Sequence, residues 1–256
     1  MYCDWEDIRR YRGAVELARA AGRTIGLATL RIVKPGEEGL LSIIGRAAPD
    51  RILIRNLAGL EYYRKQTPEI ELRGDFSLNV VNPLSAALYR DQGLRRMTPG
   101  FDLNWEQLAD LLGVADPDWF EPVVHQHMPM FHNEHCIFAA MLSTGKDWRD
   151  CGRPCDLHKV DLRDRSGAEL PLLADTGCRN TVFNAVPQSA AEYLPRMLER
   201  GVRHFRIDLL RENAAETKDL LDQYAGALSG KTQARATFRS LRILNQLGVT
   251  RGTLEG

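Results

Sequence analysis

An α/β fold built on a parallel sheet follows from three features of the sequence. Short apolar runs alternate with amphipathic stretches of helical period, turn-forming residues separate them at βα spacing, and 44% of the 256 residues are hydrophobic, enough for a sizeable core. Doubly wound or closed as a barrel, such a sheet places its chemistry at the C-terminal ends of the strands.

The first helix is expected over Asp7 to Ala21, where Ile8, Tyr11, Ala14, Val15, Leu17 and Ala18 recur at helical spacing and Gly22 provides a stop. Thr24 to Val33 reads as a strand, as do Arg51 to Asn56 and Leu72 to Val81, followed by helices from about Leu57 and after Pro83. Leu94 to Thr98 is a short strand. Asn104 to Leu112 is a helix with Asn104 as cap and Gln107 three residues on, and Phe120 to Met128 is the next strand. Between Met130 and Asp156 no helix of ordinary length fits, so something other than regular packing must order that interval. A hairpin follows, His158 to Arg163 and Glu169 to Ala174 flanking the turn from Asp164 to Gly167. A helix over Gln188 to Arg200, a strand over Val202 to Leu209 and a helix from Asn213 to Leu228 restore the βα rhythm. The organisation expected is one βα domain over residues 1–230, interrupted by a cysteine-rich insertion over 129–180, and a basic helical tail over 231–256.

Thirty-four basic side chains balance thirty-four acidic ones, which excludes the uniformly positive field of a general nucleic-acid binder but not a local basic patch. No apolar stretch approaches the roughly 18 residues of a membrane span, and Asp4, Glu6, Asp7, Arg9, Arg10 and Arg12 occupy the place of a signal core, so a cytoplasmic protein is expected.

Four of the five cysteines, Cys136, Cys151, Cys155 and Cys178, fall in one interval with the spacing C-x14-C-x3-C-x22-C; Cys3 stands apart as an incidental thiol. Four thiolates can hold zinc or an iron–sulfur cluster, and the spacing does not choose between them. The competing reading is four separately buried thiols, but apolar neighbours are sparse around Cys151 and Cys155, and Gly152 and Pro154 shape a tight loop. Four of the six histidines, His125, His127, His132 and His135, cluster just before the first of these cysteines. On a strand His125 and His127 face one side, where an imidazole can contact substrate or carry a proton, and Glu134 joins them as a candidate ligand or substrate contact. Asn79 and Asn82 stand at a strand end, where ligands bind in such folds, although Asn82 before Pro83 also suits a helix cap. Asp208 interrupts an apolar strand and can pair with Arg206 or Arg179.

Asp175-Thr-Gly177 has the form of an aspartic-protease loop, but a single copy supplies one carboxylate where two are needed. Serine-hydrolase elbows, Walker loops, dinucleotide-binding glycine patterns and H-E-x-x-H helices are absent from the sequence.

Several of these segments resemble the peptidase U32 family in order: Ala14 to Gly22, Arg51 to Asn56, Ser77 to Asn82, His125-Gln-His-Met-Pro-Met-Phe-His-Asn-Glu-His-Cys136, Asp150-Cys-Gly-Arg-Pro-Cys155, Thr181 to Asn184 and Gly201-Val-Arg-His-Phe-Arg-Ile-Asp208. The resemblance implies a TIM-barrel-like (β/α) fold and, on Cys136, Cys151, Cys155 and Cys178, a 4Fe-4S cluster, with zinc as the alternative. It further implies oxygen-independent hydroxylation of tRNA, rRNA or a small aromatic ubiquinone precursor, prephenate being a metabolite associated with the RNA-modifying members. Collagenase-like proteolysis is the older label, and a non-catalytic, metal-stabilised subunit is the third possibility. Under this reading His125, His127 and Asp208 are catalytic, with His125 the leading candidate for moving a proton, and Asn79, Asn82, Glu134 and Arg179 bind substrate. About six βα units are visible where the family has eight, so the barrel is expected to be incomplete and to be completed by a partner subunit or a homodimer.

Overall fold

The computed structural model describes residues 1–145, 147–233, 236–237 and 241. The body of the molecule is a mixed α/β structure in which parallel strands follow one another in chain order. β1 (Tyr2–Cys3), β2 (Gly26–Ala28), β3 (Arg51–Ile54), β4 (Glu71–Gly74) and β5 (Leu94–Met97) form one parallel sheet in that order. The helices between them are α1 (Tyr11–Ala20), α2 (Glu38–Arg46), α3 (Leu57–Gln66) and α4 (Pro83–Asp91), and α5 (Trp105–Val114) leads on to β6 (Val123–Gln126). A parallel bridge from Met97 to Phe120 carries the sheet toward β6, which pairs in parallel with β12 (Arg206–Ile207). The hydrophobic run of β3 explains its position: Ile52, Leu53 and Ile54 are all buried, as in a strand covered on both faces.

The strand ladders do not close into a ring among the described residues. The sheet nevertheless curls, because side chains from its far ends meet. Tyr2 of β1 donates to Glu121 at 3.2 Å, Arg73 of β4 reaches the same carboxylate at 2.7 Å, and the Arg206 guanidinium lies 5.9 Å from the Tyr2 ring centre.

Several boundaries differ from those expected, each for a local reason. The strand predicted to run to Val81 stops at Gly74, because Asp75 accepts a hydrogen bond from the Phe76 amide and opens a short 3-10 turn over Phe76–Leu78. The helix predicted from Gln188 begins only at Leu194. Gln188–Ser189 instead pair with β6 as β11, and Pro195 takes the first-turn position that proline tolerates in α7 (Leu194–Glu199). Asn82 and Asn104 cap α4 and α5 as the sequence indicated, each in a capping box, and Asn213 does the same for α8 (Ala214–Leu228).

The region of the expected cysteine-rich insertion forms a second small sheet. β7 (Pro129–Asn133), β8 (Val160–Arg163), β9 (Glu169–Asp175) and β10 (Arg179–Phe183) are antiparallel in the order β7-β10-β9-β8, with α6 (Ile137–Leu142) beside them. The expected hairpin supplies two of these strands, β8 and β9. The sheet has a core of its own, Phe138, Leu172 and Val182, against which Cys136 and Cys155 pack, separate from the main core of the parallel body. Most of the tail expected over 231–256 lies outside the described residues; within it, Thr237 and Leu241 are buried, Leu241 against the main core. No helix among the described residues is long and apolar enough to cross a membrane.

Two glycines make opposite predictions. A methyl group on Gly74 would lie 2.9 Å from both Leu78 and Leu94, so Gly74→Ala is expected to cost about 1–3 kcal/mol in urea unfolding. Gly13, exposed in α1 with open space where its side chain would point, should tolerate the same change, and Gly13→Ala is expected to add about 0.5–1 kcal/mol.

Candidate active site at the strand ends

Charged residues stand just beyond the apolar strands at their C-terminal ends, and the curl of the sheet links them into a ribbon. Asp4 follows β1, Arg31 follows β2, Arg55 follows β3, Asp75 follows β4, and Arg206 and Asp208 lie in and after β12. Arg55 forks onto Asp4 at 2.9 and 2.6 Å and donates through Nε to Asp75 at 3.0 Å. The other Asp75 oxygen accepts from Arg206 at 2.7 Å, and Arg206 continues to Thr98 at 3.1 Å and to Asp208, with Nε 2.8 Å from Oδ1. From Asp4 the ribbon runs outward through Arg31, at 3.5 Å, to Asp175 at the end of β9, at 3.6 Å. His132 of β7 closes it, 3.8 Å from Asp175 and 2.9 Å from the Thr181 hydroxyl.

The protonation states follow from this wiring. Asp75 is almost fully buried, which opposes its charge, yet Arg206 and Arg55 together hold its carboxyl well below the usual carboxylate range. Asp4 is depressed in the same way, Arg55 and Arg31 outweighing burial. Four carboxyl groups (Asp4, Asp75, Asp175, Asp208) face three guanidinium groups (Arg31, Arg55, Arg206), so the ribbon carries one acid more than it can pair. The surplus shows at its two ends. Burial and the charge of Asp75 raise Asp208 against Arg206 and Arg55, and burial together with the charge on Asp4 pushes Asp175 up to about 6. Arg31, the partner of Asp175, agrees: burial and the neighbouring Arg55 lower it, and its Nε makes no hydrogen bond. Both charges of that pair are poorly accommodated.

The thiols lie in the insertion that contributes Asp175 to this ribbon. Cys136 caps α6 and accepts from the Ala139 amide at 3.4 Å; Cys151 accepts from the Arg153 amide, also at 3.4 Å. Cys155 sits in a 3-10 turn over Pro154–Asp156, and Cys178 stands between β9 and β10 with a left-handed backbone, φ 60°. All four are free; burial and then the charge of Cys136 and Cys151 raise the Cys178 thiol, while burial, Asp156 and Cys136 raise Cys155. Among the described residues, no three His, Cys, Asp or Glu side chains stand together as a metal-holding group.

The remaining expected site residues are dispersed. His125 is buried against α8, its ring edge-on to Tyr224 at 5.8 Å, and burial pushes it down to about 4. His127 donates from Nδ1 to the Asn184 carbonyl at 2.8 Å. His132 is likewise pushed down to about 4, by burial and then by Arg31. Asn79 is exposed and ends the 3-10 turn after β4, and Asn82 spends its side chain on the Ser85 amide at 2.9 Å. Glu134 pairs with Lys34 and Arg179, and Arg179, 2% exposed, is bound to Glu37 and Glu134. A cavity of about 50 Å³, lined by Pro99, Phe101, His125, Gln126, Gln188 and Met197, has room for little more than water.

Of the candidates read from the sequence, only Asp208 and, at the far end, His132 belong to the ribbon. Asp4, Arg31, Arg55, Asp75 and Arg206 were not singled out as site residues, and Asp175 was set aside with the lone protease-like loop. The available signal was a charged residue at or just past the end of each apolar run, as in Arg55 after Ile-Leu-Ile and Asp75 after Gly74.

Asp175 gives a pH prediction with a definite sign. Its folded-state pKa, about 6, lies above the ordinary carboxyl value, so its ionisation opposes folding; the penalty is absent below about pH 4 and complete once pH has risen through 6. Asp175→Asn is therefore expected to exceed the wild type in denaturant stability at pH 7.5, by on the order of 2 kcal/mol, with the difference vanishing near pH 4. A variant less stable at pH 7.5 would mean that Arg31 accommodates the carboxylate after all.

Comparison with known proteins bears on the whole chain. No curated protein matches it. A solved structure, that of the U32 peptidase Mk0906, is similar at 10% sequence identity with a TM-score of 0.40. The match covers 50% of this chain and 56% of that one, so the chain spans about half the length of its structural neighbour. The model of peptidase family U32 matches residues 6–248, nearly the full sequence that carries the ribbon and the cysteines, and the chain belongs to that family.

Proposed function

We propose that this member of family U32 is a metal-dependent redox enzyme of the iron–sulfur type, hydroxylating an RNA base (in tRNA or rRNA) or a small aromatic precursor without dioxygen. The observation that carries the reading is four thiols, free of disulfides, on three segments of one insertion whose strand β9 ends at Asp175 of the ribbon of buried charge. The donor set suits the group: the sulfurs are unpaired by disulfides, and two of them already accept backbone N–H bonds of the kind that stabilise bound thiolates. Cys136, Cys151, Cys155 and Cys178 would hold it. When bound, a 4Fe-4S cluster supplies one-electron chemistry that no side chain offers.

The chain's own residues do the rest. Arg206 and Arg55 fix Asp75 as a permanent anion that orients the strand-end face. Asp208, partly exposed and raised by burial, is the carboxyl at which a proton is held and moved; its neighbour Arg206 keeps it aimed along the ribbon. That role falls to Asp208 ahead of His125, whose ring is neutral and enclosed against Tyr224. The curled sheet is read as an incomplete TIM-like barrel, with a second copy or a partner chain covering its open edge.

The test is the metal content and visible absorbance of protein purified without air. Iron with a broad visible band supports the reading; zinc without absorbance would replace it with the peptidase activity the family's name carries, and a protein with neither would end it. Within the reading, Cys155→Ser should bleach the absorbance and abolish turnover together. Asp208→Asn should keep the absorbance and lower turnover by roughly 10² to 10⁴-fold, and His125→Gln should change turnover far less. Unchanged turnover in Asp208→Asn would remove the carboxyl from the proton transfer.

A further inference from the structure

Arg179 is the largest fully buried side chain among the described residues, and its hydrogen-bond partners come from two separate segments. Nε donates to Glu134 at 3.0 Å, two residues before Cys136. One terminal nitrogen donates to the Ile32 carbonyl at 3.2 Å and the other forks onto Glu37 at 2.8 and 2.9 Å, both on the loop that follows β2 in the parallel body. Arg179 itself directly follows Cys178, and its guanidinium folds back beneath the turn that carries this cysteine: a methyl on Gly177, whose φ is +83°, would stand 3.2 Å from the Arg179 Nη1. The side chain thus touches the backbone on one side of Cys178, is bonded to it on the other, and ties both to the segment leading into Cys136.

With its nitrogens engaged and 2% of its surface exposed, this guanidinium has no face left for a substrate. Of the four clustered cysteines, Cys178 is the exposed one and the one with left-handed backbone, so its thiol is the least constrained by its own packing. We infer that Arg179 is a positioning residue for the metal: it holds the Cys178 turn and the Cys136 segment in register with each other, and Glu37 anchors that register to the parallel body. The inference rests on the reading that the thiols hold a metal, and it assigns Arg179 to metal retention instead of substrate binding.

The experiment measures how fast the metal leaves. Protein loaded without air is exposed to an excess of an iron chelator, and loss of visible absorbance is followed with time. Partners of this kind, one bond removed from the ligands, typically change metal affinity by about 10 to 100-fold, so Arg179→Met should release iron faster by a factor in that range. Glu37→Gln, on the body side, should shift the rate in the same direction. Arg211→Met is the control, since Arg211 also clamps the insertion, through Asp161 and the carbonyls of Val160 and Leu172, but touches no cysteine segment; its release rate should match the wild type. A rate within about twofold of wild type in Arg179→Met, or an equal acceleration in Arg211→Met, overturns the inference. Should Arg179→Met fail to fold by circular dichroism, Glu37→Gln decides alone, an unchanged rate refuting the anchor. Wild-type protein that takes up no metal overturns the metal reading itself, and is told apart from these outcomes because there is then no release to time.

Discussion

The Asp75 carboxylate, shared between Arg55 and Arg206, is the interaction on which the arrangement of the strand ends depends. It joins the end of β4 to β3 on one side and to the last parallel strand on the other, drawing together elements far apart in sequence. A buried ion pair of this kind adds little net stability, because desolvation offsets most of the Coulomb gain. Its effect is on specificity: removing one partner strands the others in a poorly solvated interior, a loss of about 3–5 kcal/mol in comparable cases, so alternative placements of the strands are disfavoured. The hydrophobic core determines that a sheet forms, and the charges determine how its ends meet.

That division explains what could be read from the sequence. Features written in neighbouring residues were legible: the capping asparagines at Asn82 and Asn104, the apolar run of β3, and the hairpin turn from Asp164 to Gly167. Features that require distant partners were not. β7 and β10 each look irregular alone, and become strands only against each other, with Asn133 opposite Asn180. Arg206 and Asp75 are 131 positions apart, so neither announces the other. The histidine cluster misled for a related reason: period-two alternation assigns His125 and His127 to one face, but says nothing of Tyr224, 99 positions on, whose ring receives His125.

The surplus carboxyl also ties the two sheets chemically. Asp175 belongs to the insertion and Arg31 to the body, and the imbalance between them shows as a carboxyl whose proton is lost only at about pH 6. His132, 3.8 Å from Asp175, is kept neutral there by burial and by Arg31. The strand-end face and the cysteine segment therefore share one electrostatic system even though they share no hydrophobic core.

The separateness of those cores has a consequence for how the molecule opens. The insertion's three-residue core meets the body across a seam made of Arg179 with Glu37, Arg153 with Asp7, Thr176 with the Glu6 carbonyl and Arg211 with Asp161, with no apolar side chain common to both clusters. Cooperativity in folding comes chiefly from shared apolar burial, and polar seams transmit it weakly. The insertion is therefore expected to be the less stable unit, exchanging its amide protons through local opening while the parallel body stays protected. Because its links are ionic, the frequency of that opening is set by the salt around the protein as much as by temperature.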